Sequence, residues 1–118
     1  MNGIVTPVGD TDFGDVVLGS VTPVLVDFHA DWCGPCRQVG PVLDELAAEL
    51  DWMQFVRLDV DAHPVTAAAY RVTGLPTLLV FDGGELVLSI VGARPRRTVR
   101  DLLLTLAPDD RHRAGQIV

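Results

Sequence analysis

Two residues in this chain are equipped for covalent chemistry: Cys33 and Cys36, the only cysteines among 118 residues, set in the string Trp32-Cys33-Gly34-Pro35-Cys36. Two thiols separated by two residues can pass between dithiol and disulfide, and only the thiolate form attacks a disulfide. If a helix starts here, Cys33 faces unpaired N–H groups and the positive end of the helix dipole, which favour its thiolate and make it the nucleophile. Cys36, one turn further in, reaches the sulfur of Cys33 and is expected to be the more buried, so it is the thiol that resolves a mixed disulfide. A chain of this length with 48% hydrophobic residues needs no stapling disulfide to fold. The competing use of the pair is half of a zinc site. Zinc wants four ligands and no second pair of cysteines exists, so His29, His63 or His112 would have to complete it, and only His29 is near in sequence.

A third candidate is Asp27, an acid inside the apolar run 24–28. An ionised carboxylate there is costly unless paired, so desolvation is expected to raise its pKa. The alternative is a solvated acid at a strand end, paired with Arg57. Arg57 itself sits on a second apolar strand, where a permanent cation calls for an anion.

The elements that must position these groups follow from periodicity and punctuation. Residues 4–8 read as a short edge strand, because Pro7 cannot donate to a ladder. Asp12 is placed to cap a brief helix through Leu18. Residues 24–28 read as a central strand covered on both faces. From about Pro35, Val39, Val42, Leu43, Leu46, Ala47 and Leu50 form the stripe of an amphipathic helix, with a bend expected at Gly40-Pro41. Residues 53–60 form a second buried strand, with Val56, Leu58 and Val60 on one face and Phe55, Arg57 and Asp59 on the other. A short helix spans residues 63–70 with Pro64 in its first turn, and Gly74 stops the segment that follows. Strands 77–81 and 86–91 flank Asp82-Gly83-Gly84-Glu85 and are expected to be an antiparallel hairpin. A last helix from about Pro95 is expected to bury Val99, Leu102, Leu103 and Leu106. The order βαβαβαββα gives an α/β class: a mixed sheet with helices on both faces. Residues 1–108 are expected to be a single domain, and 109–118 a polar, frayed tail.

Composition removes other classes. The longest apolar runs fall far short of the roughly 20 residues a membrane span needs, so a soluble chain is expected. A formal charge of −7 repels phosphate backbones and anionic lipids, which excludes nucleic acid and membrane surfaces as expected partners. The N-terminus shows no basic region followed by an apolar one, so a cytoplasmic location is expected.

Trp-Cys-Gly-Pro-Cys after Val-Asp-Phe, with Gly74-Leu75-Pro76-Thr77 about 40 residues later before a hairpin, resembles the thioredoxin family over nearly the whole chain. The resemblance implies the thioredoxin fold and a protein-disulfide reductase, with Cys33, Gly34, Pro35 and Cys36 as the redox centre. It makes Asp27 the proton acceptor for Cys36. Pro76 resembles the family's cis-proline, the alternative being a plain strand-entry proline. Trp32, Gly74, Leu75, Gly92 and Ala93 match positions that rim the groove where a partner's cysteine docks, although the glycines could simply serve turns. The Gly-Pro pair between the cysteines leans toward a reductant. No bound cofactor or metal is implied. Recharging is expected from a thioredoxin reductase using NADPH and FAD, and clients such as ribonucleotide reductase, peroxiredoxin or methionine sulfoxide reductase are implied, with the chain acting as a monomer.

The chain departs from the family pattern at His29, at Arg57 and in an arginine cluster. His29 stands two residues after Asp27 where a tryptophan is usual, and so shares its strand face; it either perturbs the titration of Asp27 and the dithiol or is simply packed at the solvent edge. Arg57 replaces the usual lysine and should hold the pKa of Asp27 down against desolvation. Arg94-Pro95-Arg96-Arg97 with Arg100 puts cations at a helix start, where they oppose the dipole; a docking patch for an acidic partner and a solvated face are the two explanations. A non-catalytic binding module or chaperone, with the dithiol incidental, is the alternative for the whole chain.

Overall fold

Strands Val5–Pro7 (β1), Val24–His29 (β2), Gln54–Asp59 (β3), Thr77–Asp82 (β4) and Glu85–Val91 (β5) hydrogen-bond into one mixed sheet in the order β1-β3-β2-β4-β5. β1 and β2 run parallel to β3, while β4 is antiparallel to β2 and β5 to β4. Three helices connect and cover them: Gly34–Glu49 (α1), Pro64–Ala69 (α2) and Arg96–Leu104 (α3). The computed structural model describes residues 3–108. The polar tail expected at 109–118, with His112, lies outside the described residues.

The run 24–28 is buried throughout because β2 has a strand on each side and helices over both faces. Alternation along it divides the core. Leu25 and Phe55 pack with Val39, Leu43 and Leu46 of α1 and Val99 and Leu103 of α3. Val24, Val26, Phe28, Val56 and Leu58 pack on the other face with Phe13, Val17 and Ala67. Asp27 is two residues from Leu25 and so belongs to the α1 face, at the end of β2 where α1 begins. Pro7 sits on edge strand β1, as its missing N–H requires. α1 runs through Pro41, which lies on the exposed side, where water can meet the carbonyl left without a helical donor. The β4–β5 turn places Gly83 at φ 62° and Gly84 at φ 84°, the two positive values a tight hairpin requires.

Two local expectations are corrected. Asp12 does not cap a helix: its carboxylate turns back to accept the Gly9 N–H at 2.8 Å, and the segment Gly14–Leu18 winds as a wide π turn closed by Gly19 N–H to the Gly14 carbonyl. Leu102 is exposed: Val99 and Leu103 are the buried residues of α3, and Leu104 and Leu106 pack half-buried against the same cluster. The short helix expected over 63–70 is α2, with His63 and Tyr70 as its caps, and Arg71 takes a positive φ of 57° after it. A remote residue caps α2: the Asp10 carboxylate accepts the N–H groups of Val65 at 3.1 Å and Thr66 at 2.8 Å, while His63 Nδ1 accepts the Asp10 N–H at 3.1 Å.

Candidate active site

β2 stops at His29, and a tight turn, with Cys33 N–H donating to the Ala30 carbonyl at 3.1 Å, delivers the chain to α1. Cys33 is the N-cap of α1, extended at φ −87° and ψ 110°, and its Sγ accepts the N–H of Cys36 at 3.2 Å. Pro35 occupies the first turn, where a missing N–H leaves nothing unpaired. Cys33 and Cys36 are joined as a disulfide with Cα atoms 5.3 Å apart. On reduction, a sulfur at this position meets the free N–H groups and positive pole of a 16-residue helix. Burial corrects one expectation: Cys36, at 8% exposure, is not more buried than Cys33 at 4%. Cys33 folds back over the first helical turn, whereas Cys36 fronts a cavity on the Asp27 side.

That cavity, about 250 Å³, is lined by Asp27, His29, Cys36, Arg37, Gly40 and Arg57 among others. Asp27 is 5% exposed, so it is not a solvated strand-end acid. Burial pushes its pKa up to about 6, with the Arg57 cation pulling the other way. β2 and β3 pair Asp27 with Arg57 in register, yet the guanidinium forms its ion pair outward, with Asp44 of α1 at 3.5 Å. Oδ1 of Asp27 and Nε of Arg57 are both buried without a protein partner, and both residues line the cavity. A water there would satisfy donor and acceptor together. His29 is half-buried on the same cavity. Among the described residues no group of three or more His, Cys, Asp or Glu is placed to hold a metal ion.

The residues expected to rim a groove fall in three places. Trp32 is 68% exposed, its indole N–H donating to Asp61 Oδ2 at 2.8 Å. The loop carrying Asp61 is shaped by Asp59, whose Oδ1 accepts the Asp61 N–H at 2.9 Å. At the far ends of β4 and β5, the Leu75–Pro76 bond is cis, Thr77 Oγ1 donates to the Gly74 carbonyl at 2.6 Å, and Gly92 N–H donates to the Pro76 carbonyl at 2.8 Å. Gly74, Leu75, Pro76 and Gly92 are thereby gathered on one side. Ala93 belongs to a separate hollow against α1. Two residues escaped the sequence reading: Asp61, whose pairing with Trp32 spans 29 positions, and Val91, a 53% exposed side chain opposite Thr77. The period-2 pattern of the last strand was the available signal for Val91.

The arginine cluster also divides. Arg96 pairs with Glu45 at 3.0 Å and Glu49 at 2.8 Å, and Arg100 with Glu49 at 2.6 Å, tying α3 to α1. For these two cations neither a docking patch nor a solvated face is the explanation: carboxylates on the neighbouring helix pair with them.

A Cys-Gly-Pro-Cys disulfide at the start of a helix, just after the central strand of a mixed sheet and beside a buried acid, defines a protein of thiol–disulfide exchange. A family model described as "Thioredoxin" matches residues 4–105. The chain is 48% identical over 96 residues to a thioredoxin of Streptomyces clavuligerus, covering 81% of this chain and 90% of that one. It is 45% identical over 97 residues to a thioredoxin of Synechocystis, covering 81% and 91%. It is also 45% identical over 102 residues to the bifunctional thioredoxin reductase/thioredoxin of Mycobacterium leprae, covering 85% of this chain and 22% of that protein. The chain belongs to the thioredoxin family, and it is a thiol–disulfide oxidoreductase that reduces protein disulfides. Its redox group is its own disulfide, and the family implies a reductase as donor and disulfide-bearing proteins as clients. No helix of the described residues is long and apolar enough to cross a membrane.

Proposed function

We propose that the reduced protein acts through a Cys33 nucleophile and a Cys36 resolving thiol, with Asp27 taking the proton of Cys36. The Cys33 thiolate attacks one sulfur of a client disulfide, forming a Cys33–client bond and releasing the other client sulfur as thiolate. The Asp27 carboxylate then accepts the Cys36 proton, directly or through water in the cavity they share. The Cys36 thiolate attacks Cys33 Sγ, the Cys33–Cys36 bond forms, and the second client sulfur leaves. Two electrons pass to the client, and the protein ends in the disulfide form. The observation that carries this reading is the placement of Cys36 and Asp27 on one cavity behind a helix-start cysteine.

Trp32, Gly74, Leu75, Pro76, Gly92 and Ala93 form the client groove in this reading, supported by the exposure of Trp32 and by the hydrogen bond joining Gly92 to Pro76. A thioredoxin reductase carrying NADPH and FAD recharges the dithiol in the cytoplasm, and the clients include ribonucleotide reductase, peroxiredoxin or methionine sulfoxide reductase. The protein works as a monomer. Arg57 and His29 modulate the site. For His29 the support is its place on the cavity of Asp27 and Cys36; an Asp27 titration by NMR that is identical in native protein and His29→Trp would remove that role.

Cys36→Ser tests the roles of the two thiols. Mixed with an oxidised client, it is expected to accumulate a covalent adduct through Cys33, visible by mass spectrometry and reversed by dithiothreitol. An adduct formed equally by Cys33→Ser would reverse the assignment.

A further inference from the structure

With Arg96 and Arg100 held by Glu45 and Glu49, two arginines of the cluster remain exposed and outside every ion pair of the described residues: Arg94 and Arg97. Arg94 is fixed rather than free. Its Nε donates to the Val91 carbonyl at 3.2 Å, so the guanidinium is anchored through one nitrogen, with its terminal NH2 groups open to solvent. It borders a hollow of about 330 Å³ whose other walls are Gln38, Val39, Val42, Ala93 and Pro95. The hollow begins less than two helical turns along α1 from Cys33, and its Ala93 wall follows directly on Gly92, whose N–H donates to the Pro76 carbonyl. An apolar floor with one preset guanidinium at its rim suits an extended peptide that presents a carboxylate.

Resting on the thiol–disulfide reading above, we propose that this hollow is a client-selecting subsite: it favours disulfides whose flanking segment is acidic, with a client Asp or Glu side chain meeting Arg94 while the disulfide lies at Cys33. Arg97, three residues on, adds positive potential to the same approach. The claim is discriminating because the molecule as a whole carries −7. Net charge alone repels acidic clients and favours basic ones, so an acidic preference has to come from a local surface.

The test uses three peptides with the same intramolecular disulfide, flanked by Glu, by Gln or by Lys, and follows reduction as kcat/KM at low salt and at 0.5 M NaCl. The native protein is expected to favour the Glu peptide over the Gln peptide by about three- to fivefold at low salt, the worth of one or two exposed ion pairs. That preference should collapse in high salt, where screening reaches within a few ångströms. Arg94→Gln should bring the Glu-to-Gln ratio to about one, and Arg94→Glu should take it below one. A native preference for the Lys peptide, or a Glu preference unmoved by Arg94→Gln, overturns the subsite. Failure to reduce any of the three peptides instead overturns the exchange activity on which it rests.

Discussion

At the scale of the residue, Asp27 is where energy and chemistry meet. The folded protein keeps this carboxyl protonated up to about pH 6, whereas an unfolded aspartate gives up its proton near 3.8. Between those values the native state binds more protons than the unfolded one, so the contribution is complete below about pH 4 and is lost as pH rises through 6. Asp27→Asn removes the buried charge. It should leave stability nearly unchanged at pH 4 and raise it by about 2–3 kcal/mol at pH 7.5, measured by urea unfolding of the oxidised protein. The same substitution removes the proton acceptor. The Cys36 step, read as the second burst of thionitrobenzoate released from Ellman's reagent, should slow by at least about tenfold and lose its rise above pH 6. A variant stabilised at pH 7.5 but unchanged in that second burst would make Asp27 a buried acid without a part in the reaction. The burial of Asp27 was legible from sequence because the acid stands inside a continuous apolar run, and its 5% exposure decides against the solvated strand-end alternative. The burial order of the cysteines was not, because it depends on which side of α1 the cavity opens.

At the scale of the element, local chemistry read well and remote chemistry did not. Gly83-Gly84 between two apolar runs specifies the hairpin by itself, and the stripe from Val39 to Leu50 specifies the buried face of α1. In α3, the run Leu102-Leu103-Leu104 is ambiguous, since neighbours lie 100° apart and either of the first two satisfies the pattern; only packing on α1 selects Leu103. The Arg96–Glu49 and Asp10–Thr66 contacts join residues 47 and 56 positions apart, and no spacing rule reports such pairs. Two glycines give opposite predictions at this scale. Gly14 has open space where a Cβ would stand and no positive φ, so Gly14→Ala should stabilise by about 0.4–1 kcal/mol through the unfolded chain. At Gly9 an added Cβ would overlap the ring of His63, which holds the Asp10 loop onto α2, so Gly9→Ala should cost about 1–3 kcal/mol. Chemical denaturation of the two variants beside the native protein checks both signs.

At the scale of the whole molecule, the sheet order places the C-terminal ends of β2 and β3 and the start of α1 together, so the thiols, the buried acid and its opposing cation arrive at one place from three elements. The alternation of strands and helices announced that architecture, since helices between buried strands have to cover both faces of a sheet. Against a net charge of −7 stands the arginine rim at Arg94 and Arg97. The central claim is that this assembly moves electrons from the Cys33–Cys36 dithiol to protein disulfides. The most direct measurement is reduction of insulin, followed as turbidity with dithiothreitol as electron donor, for the native protein beside Cys33→Ser. The native protein should shorten the onset of precipitation severalfold and Cys33→Ser should match the uncatalysed control. Equal rates for the native protein and the control would contradict the account.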